Sequence, residues 1–204
     1  VPVTIDMGAG EDVIIYAGTG AATLNGGADA DYIGWTGNAS GIINGNGGGD
    51  YLVHIGDGSV TMNGDAGNDR IIGGNSTDVL NGGANDDDIS GPAASITGGD
   101  GSDVISVIVS VQDGDLHVNA GSGTDTLNIL GSVEDDVITV SEGSTQLNIA
   151  VGAITVSTAS VESLYIDGGA GSDTITVEDM DSSGLQRFLI NYGQRVTSSG
   201  FEDV

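Results

Sequence analysis

Aspartates recur along the chain at a nearly constant interval, and they are the side chains whose spacing most suggests chemistry. Each one closes a glycine-rich segment, as Asp12 closes Gly8–Asp12, and the first four are evenly spaced. The later steps vary in length, and the motif returns once more after a gap. The full series is Asp12, Asp31, Asp50, Asp69, Asp87, Asp103, Asp125 and Asp173. Repeated carboxylates are suited to binding hard cations.

Large apolar residues stand at fixed offsets from these aspartates. Two positions after them come Ile14, Ile33, Leu52, Ile71, Ile89, Ile105, Leu127 and Ile175. Seven positions before them come Ile5, Leu24, Ile43, Met62, Leu80, Ile96, Val118 and Ile166. Apolar columns held between glycine-rich turns predict short strands, each with one side chain pointing into a shared interior.

A repeat of about 19 residues without a helical segment predicts one coil of a β-solenoid, built as strand, turn, strand, turn. Successive coils then stack as parallel strands about 4.8 Å apart, which places equivalent aspartates in a ladder. Neighbouring carboxylates at that spacing repel by roughly 1 kcal/mol in bulk water and by several times more near a protein surface. Ca²⁺ fits the predicted carboxylate and carbonyl oxygens better than Mg²⁺, because it accepts irregular coordination.

Composition limits the classes of partner. The chain has 204 residues, with 30 acidic residues against 3 basic ones and a formal net charge of -27. Such a surface repels nucleic acid and anionic lipid, so we expect neither a nucleic-acid partner nor membrane insertion. The sequence has no cysteine, and only 4% of its residues are aromatic. The predicted core is therefore thin, and bound cations are expected to contribute to stability.

The motif Gly-Gly-x-Gly-x-Asp-x-apolar-x resembles the repeats-in-toxin, or haemolysin-type calcium-binding, nonapeptide. Residues 98–106 match it fully, and residues 64–90 form an unbroken run of three copies. The resemblance implies a right-handed parallel β-roll in which turn aspartates and glycine carbonyls of adjacent coils share Ca²⁺ ions. The implied ligands are the eight aspartates above, Asp78 on the opposite turn, and the turn residues Gly8, Gly10, Gly27, Gly48, Gly67, Gly83, Gly99, Gly101, Gly121, Gly123, Gly169 and Gly171.

The sequence also departs from this family pattern. The other turn of each coil is mostly degenerate, and only Gly73–Asp78 resembles a full site there. We therefore expect one well-filled row of ions and a sparse second row. Asp29 and Asn85 replace the second glycine of their motifs, and we expect altered geometry at those two positions.

The regularity of the repeat divides the chain into three parts. Residues 1–126 are predicted to form regular calcium-binding coils, 127–183 a degenerate continuation of the solenoid, and 184–204 a cap or a junction to a further domain. Strands are expected at 137–140, 146–151, 153–157 and 161–166. Both ends interrupt a repeat, so we expect the chain to be a fragment of a longer protein.

We expect a calcium-binding segment of a large secreted or cell-surface protein, with a structural or adhesive role, that folds on binding calcium. Alternatives are a non-catalytic calcium-binding module of a secreted enzyme and an ice-binding or filament-forming solenoid. Besides calcium, the candidate partners are extracellular matrix, polysaccharide and like chains bound end to end. Tyr32, Tyr51 and Arg70 are predicted to face outward in line.

Catalysis within the chain is not expected. His54 and His117 lie in unrelated contexts, and no serine in a nucleophile-elbow pattern accompanies either. His54 shares a column with Tyr16 and Trp35, which predicts a stacking role. Ice binding is disfavoured because the third residue before each motif aspartate is never threonine.

Overall fold

The computed structural model describes residues 2–109, 114–143, 146–178, 180 and 184–191. Its elements are β-strands assembled into two sheets, and most neighbouring strands within each sheet are parallel. Strands from the two sheets alternate along the chain as far as residue 142. This arrangement is a β-solenoid, as predicted, and equivalent aspartates of its early coils are 19 residues apart.

The strands form one sheet of 11 strands, the long sheet, and one of 9 strands, the short sheet. In spatial order, the long sheet contains β1 (Val3–Ala9), β3 (Ala22–Ala28), β5 (Gly41–Gly47), β7 (Val60–Ala66), β9 (Val79–Ala84), β11 (Ser95–Asp100), β13 (Leu116–Ser122), β17 (Ile154–Ala159), β16 (Leu147–Val151), β15 (Val137–Glu142) and β19 (Thr174–Val177). The short sheet contains β2 (Val13–Tyr16), β4 (Tyr32–Trp35), β6 (Tyr51–His54), β8 (Arg70–Ile72), β10 (Asp88–Ser90), β12 (Val104–Ile108), β14 (Thr126–Leu130), β18 (Ser163–Asp167) and β20 (Arg187–Asn191).

The two apolar columns read from the sequence form the core between the sheets. All sixteen residues are buried except Ile5 and Ile175, which are partly buried. Neighbouring members are register partners, as Leu24 is with Ile43 and Ile33 is with Leu52. Because side chains alternate between the faces of a strand, this register leaves the residues between them on the outside.

The coils have two rows of turns. The turns that lead from the long sheet into the short sheet carry Asp12, Asp31, Asp50, Asp69, Asp87, Asp103 and Asp125, and we call them the aspartate row. The turns that lead back from the short sheet into the long sheet form the opposite row, which includes Asp78.

The regular winding is interrupted after β14. All four strands predicted beyond residue 126 are present as β15 to β18, but β16 is antiparallel to both β15 and β17. Only Gly152 and Ala153 join β16 to β17, and a connection of that length permits a hairpin but no parallel crossover. Parallel pairing then resumes, because β17 pairs with β13 and β18 pairs with β14.

Asp173 does not lie in the aspartate row, because it follows a strand of the short sheet. The turn that ends at Asp173 joins β18 to β19 and stacks on the turn between β14 and β15, so it belongs to the opposite row. The predicted alignment of Asp173 with the other seven aspartates is therefore wrong. Of the predicted cap, residues 187–191 form β20 beside β18, and residues 192–204 lie outside the described residues.

Candidate metal-binding row

Backbone hydrogen bonds hold the aspartates of the aspartate row in a continuous ladder. The Asp31 N–H donates to Asp50 Oδ1 at 2.7 Å, and the Asp50 N–H donates to Asp69 Oδ1 at the same distance. The pattern runs without a break from Asp12 to Asp125, with distances of 2.7 to 2.9 Å. One oxygen of each carboxylate after Asp12 is thus fixed by the turn of the preceding coil.

The other carboxylate oxygen has no partner. It is buried and without a hydrogen bond in every member of the row, namely Asp12, Asp31, Asp50, Asp69, Asp87, Asp103 and Asp125. Buried polar atoms nearly always have a partner, and a buried charge costs several kcal/mol unless it is compensated. Seven such Oδ2 atoms lie along one row, where either protonation or a bound cation would compensate the buried charge.

Glycines five positions before the aspartates leave room beside these orphan oxygens. A Cβ atom on Gly64 would overlap Asp69 Oδ2 and would lie 2.6 Å from the carbonyl oxygen of Gly82 in the next coil. The same two oxygen types converge at the other members of this column, Gly26, Gly45, Gly82 and Gly98. In five coils, one carboxylate oxygen and one carbonyl oxygen of the next coil thus lie within 3 Å of the position that a Cβ atom on the glycine would take.

The motif glycines have left-handed backbone angles, as the predicted turns require. Positive φ is found at Gly8, Gly10, Gly27, Gly48, Gly67, Gly83, Gly99, Gly101, Gly121 and Gly123 in the aspartate row, and at Gly169 and Gly171 in the opposite row. Asp29 and Asn85 keep the same conformation, with φ of 74° and 82°. Asp and Asn tolerate this region better than other non-glycine residues, which explains why the turn survives both substitutions.

Burial raises the pKa of carboxyl groups along the middle and later part of the row. The pKa of Asp87 rises to about 7 and that of Asp69 to about 6, chiefly by desolvation, and neighbouring carboxylates add to the shift. The backbone N–H bond to each carboxylate opposes the shift without cancelling it. Desolvation also raises the pKa of Asp50, Asp103 and Asp125. Without a cation, the ionised row is electrostatically unfavourable.

Glu162 continues the aspartate row beyond Asp125. Its Oε2 accepts the Asp125 N–H at 2.9 Å, and it precedes β18 just as each motif aspartate precedes its own strand of the short sheet. The motif does not reveal this residue, because its glycines are absent before Glu162. The remaining signal in the sequence is an acidic residue two positions before the apolar residue Leu164.

Asp78 in the opposite row has partners for both carboxylate oxygens. Its Oδ1 accepts the Val60 N–H at 2.8 Å. Its Oδ2 accepts the N–H groups of Gly74 and Asn75 at 3.0 and 3.1 Å and lies 2.7 Å from His54 Nδ1. The structure therefore gives Asp78 a fully partnered carboxylate, away from the other predicted ligands, although Nε2 of the neighbouring His54 is buried without a hydrogen bond.

Asp173 and Asp136 occupy equivalent positions at a later point of the opposite row. The Asp136 N–H donates to Asp173 Oδ1 at 3.0 Å, which repeats the ladder bond of the aspartate row. The Oδ2 of Asp136, however, accepts the Ser132 N–H at 2.7 Å and the Ser132 hydroxyl at 3.0 Å. Here a serine supplies donors to the oxygen that stays unpartnered in the aspartate row.

The two histidines lie in different environments. His54 is buried and in register with Trp35, as the shared column predicted, and the ring centroids of Trp35 and Tyr16 lie 4.7 Å apart. The ring contact shown in this column is that of Tyr16 with Trp35, and the stacking predicted for His54 stays a prediction. Nδ1 of the exposed His117 contacts the hydroxyl of Ser157 across β13 and β17 at 2.5 Å. No local motif reveals this Ser–His pair, because the two residues lie 40 positions apart.

The chemistry available in the aspartate row is the binding of hard cations by mixed oxygen donors. Among the described residues, no three His, Cys, Asp or Glu side chains converge on a common point that could hold a metal. Any cation in this row would therefore depend on carboxylates together with backbone carbonyls. Within the same described residues, no helix is long and apolar enough to cross a membrane.

Comparison with known proteins does not identify the chain. No family model, no curated protein and no solved structure matches it.

Proposed function

We propose that this chain is a calcium-binding β-solenoid segment of a secreted or cell-surface protein and that its role is structural or adhesive. The observation that carries the proposal is the row of seven buried Oδ2 atoms without a partner, from Asp12 to Asp125. A divalent cation between coils would compensate these charges and link each coil to the next.

The donor set favours Ca²⁺ over other metals. Carboxylate and carbonyl oxygens are the ligands of hard cations, and the chain has no cysteine for softer ones. Asp69 Oδ2 and the Gly82 carbonyl represent the donors that adjacent coils would contribute, and the cation would supply positive charge between them. Such a mixed donor set favours Ca²⁺, which accepts irregular coordination, whereas Mg²⁺ needs a near-ideal octahedron.

Folding of such a segment would be coupled to calcium binding, so that the calcium concentration would control whether it is folded. The cation-free chain has a net charge of -27 and a thin aliphatic core, so its folded state is opposed by self-repulsion. Calcium is abundant outside cells, where binding would shift the equilibrium toward the folded solenoid. The resemblance of residues 98–106 and 64–90 to repeats-in-toxin motifs supports the same function, and membership of that family is part of the proposal.

Thermal unfolding with and without calcium tests the proposal. Each site that binds only the folded state adds about 2.7 kcal/mol at a hundredfold excess of ligand over its dissociation constant. For a chain of this size, two filled sites should raise the melting temperature by about 10–20 °C.

Circular dichroism should show this rise in millimolar CaCl₂, relative to protein stripped of metal. An equal concentration of MgCl₂ is the control and should give a much smaller rise. Equal melting temperatures in calcium and in chelator would refute the proposed function.

A further inference from the structure

Five Asn-Gly pairs occur in the chain, and the fold places them in two different settings. Four of the asparagines are register partners on the outer face of the long sheet, one each in β3, β5, β7 and β9, namely Asn25, Asn44, Asn63 and Asn81. We call these four residues the ladder asparagines. The fifth, Asn46, lies near the end of β5, in the glycine-rich segment that leads to Asp50.

An Asn-Gly pair is chemically reactive, and asparagine is among the thermolabile residues of proteins. The backbone nitrogen of the glycine attacks the asparagine Cγ, the new C–N bond closes a succinimide ring, and the side-chain amide leaves as ammonia. Water then opens the ring at either carbonyl and gives aspartate or isoaspartate, so that a neutral amide becomes a carboxylate. Glycine obstructs the attack least because it has no side chain. Ring closure also requires the asparagine to rotate about its backbone bonds.

Hydrogen bonds and packing hold the ladder asparagines against this rotation. Each amide from Asn44 to Asn81 donates to the ladder asparagine of the preceding coil at 2.7 Å. The glycines that follow the ladder asparagines are buried, with a carboxylate oxygen and a carbonyl oxygen against the position that a Cβ atom would take, namely Gly26, Gly45, Gly64 and Gly82. Ring closure at these pairs must therefore break the amide ladder and displace a packed peptide unit.

The pair formed by Asn46 and Gly47 is held much more loosely. Asn46 is exposed, and its amide donates to Asp65 Oδ2 at 3.2 Å, a longer bond than those of the ladder. Its φ of 76° shows that the chain leaves the extended conformation at this residue. A Cβ atom on Gly47 would meet the Gly27 carbonyl oxygen at 3.8 Å, which is an ordinary contact. The peptide unit between Asn46 and Gly47 therefore has room to rotate.

From this contrast we infer that Asn46 is a site of spontaneous modification in the folded protein, where the succinimide route produces aspartate and isoaspartate. Water is the only co-reactant, so the folded chain undergoes the reaction without an enzyme. The ladder asparagines react only when the solenoid opens. This inference goes beyond the calcium function and does not depend on it, because all the reacting atoms of the protein belong to Asn46 and Gly47.

Conversion of Asn46 would change the turn that leads to Asp50. Asn46 and Asp65 are register partners, so a carboxylate in place of the amide would set two negative charges opposite each other on neighbouring coils. The hydrogen bond from the Asn46 amide to Asp65 would also be lost. Isoaspartate would in addition insert a methylene group into the main chain before Gly47. Both products would weaken the contact between β5 and β7 beside the aspartate row.

Peptide mass mapping of aged protein tests the inference. The protein is incubated in mildly alkaline buffer in which circular dichroism shows the folded solenoid, and in parallel in urea. The change of mass from amide to acid is followed at each Asn-Gly pair, and protein isoaspartyl methyltransferase labels the isoaspartate. In the folded protein, Asn46 should convert at least about tenfold faster than any ladder asparagine, because the ladder must open locally before its amides react. In urea, all the pairs should convert at similar rates because they share the same dipeptide.

Gly47→Ala is the matched variant. Gly47 does not have a left-handed backbone, and its surroundings accept a Cβ atom, so the variant should keep the melting temperature of the parent. It should slow conversion at Asn46 several-fold, because the methyl group hinders the attack, and should leave the ladder asparagines unchanged.

Four outcomes would overturn the inference: no conversion of Asn46 in the folded protein, equal rates at all the pairs in the folded protein, the same preference for Asn46 in urea as in buffer, or unchanged conversion in Gly47→Ala. None of these outcomes involves calcium, so failure of this inference is distinguishable from failure of the calcium proposal.

Discussion

The two rows of turns use the same residue type in opposite ways. Asp69 in the aspartate row accepts one backbone N–H on Oδ1 and leaves Oδ2 buried without a partner. Asp78 in the opposite row accepts backbone N–H groups on both oxygens and also pairs with His54. The protein's own groups donate to both oxygens of the Asp78 carboxylate, whereas Oδ2 of Asp69 has no donor and no counter-charge.

This difference shows why an aspartate in a glycine-rich turn is not by itself evidence of a metal ligand. A saturated carboxylate is stabilised in its charged form by its donors and has little need of a cation. A buried carboxylate oxygen that has no donor and lies beside a carbonyl oxygen would be stabilised by a cation, because no group of the protein compensates its charge. The aspartate row should therefore determine the response to calcium, while the opposite row should determine stability regardless of calcium.

The largest effect is expected from Asp78→Asn. This substitution turns one carboxylate oxygen into an amide NH₂ group, which would face donors from Gly74, Asn75 and Val60 or lose the contact with His54. Breaking a buried polar cluster of this kind costs about 3–5 kcal/mol. The melting temperature should fall by about 6–20 °C, both in calcium and in chelator.

Asp57→Asn is the matched control, because Asp57 is an exposed acid of the same row. It should change the melting temperature by no more than about 2 °C, since surface substitutions are usually close to neutral. The comparison between the rows would fail if Asp78→Asn destabilised the protein only in the presence of calcium.

A smaller effect of opposite sign is expected from the double substitution Asp69→Asn with Asp87→Asn. Asparagine keeps the Oδ1 acceptor for the N–H of the preceding coil but removes a buried negative charge. In chelator the variant should melt a few degrees higher than the parent, because the desolvation cost disappears. In calcium it should melt lower than the parent, because two carboxylate ligands are missing.

Differential scanning calorimetry measures both melting temperatures. The informative result is the change of sign: the double variant should melt above the parent in chelator and below it in calcium. A row that served only as a hydrogen-bond ladder would give the same shift with and without calcium. That outcome would contradict the assignment of the orphan oxygens to cations.

Much of the fold could be predicted from the sequence because strand burial follows a local pattern. Leu24 and Ile33 are buried where the columns placed them, since a parallel coil of constant length keeps equivalent residues in register. The sequence predicted each of the strands β15, β16 and β17 but not the antiparallel pairing of β16 with its two neighbours. Pairing direction depends on the length of the connections, such as the short link between β16 and β17, and the apolar pattern does not encode it.

The sequence predicted seven members of the aspartate row. It also placed Asp173 in the row wrongly, and it did not reveal that Glu162 continues the row. Asp173 has the full motif and still lies in the opposite row, because it follows β18, a strand of the short sheet, whereas the other motif aspartates follow strands of the long sheet. Glu162 lacks the motif and still takes the next position in the ladder. The place of Glu162 before β18 in the fold, and not the residues beside it in the sequence, brings its side chain to the Asp125 N–H. The saturation of Asp78 depends on donors from Val60 and His54, which are 18 and 24 residues away. No short motif records such contacts.

The pH dependence of the metal-free protein should also differ between the two rows. In the aspartate row, burial raises the pKa of Asp69 to about 6 and that of Asp87 to about 7. A raised pKa favours the protonated form in the folded state. The contribution of Asp69 and Asp87 to the free energy of unfolding is complete below the ordinary pKa near 4 and is lost as the pH rises toward 7. The free energy of unfolding, measured with urea on metal-free protein, should therefore fall between pH 4.5 and pH 7.5.

Asp167, at the start of a turn of the opposite row, provides the contrasting case. The backbone N–H of Gly169, at 2.9 Å, and the amide of Asn191 lower its pKa. Its smaller contribution is therefore present above the ordinary pKa near 4 and is lost only in more acidic solution. Asp167→Asn should leave the slope between pH 4.5 and 7.5 unchanged, whereas Asp69→Asn with Asp87→Asn should flatten it. Saturating calcium should flatten the slope as well, because bound cations replace the protons that otherwise neutralise the row. A slope that persisted in the double variant would show that other groups cause it and would separate the pH response from the orphan oxygens.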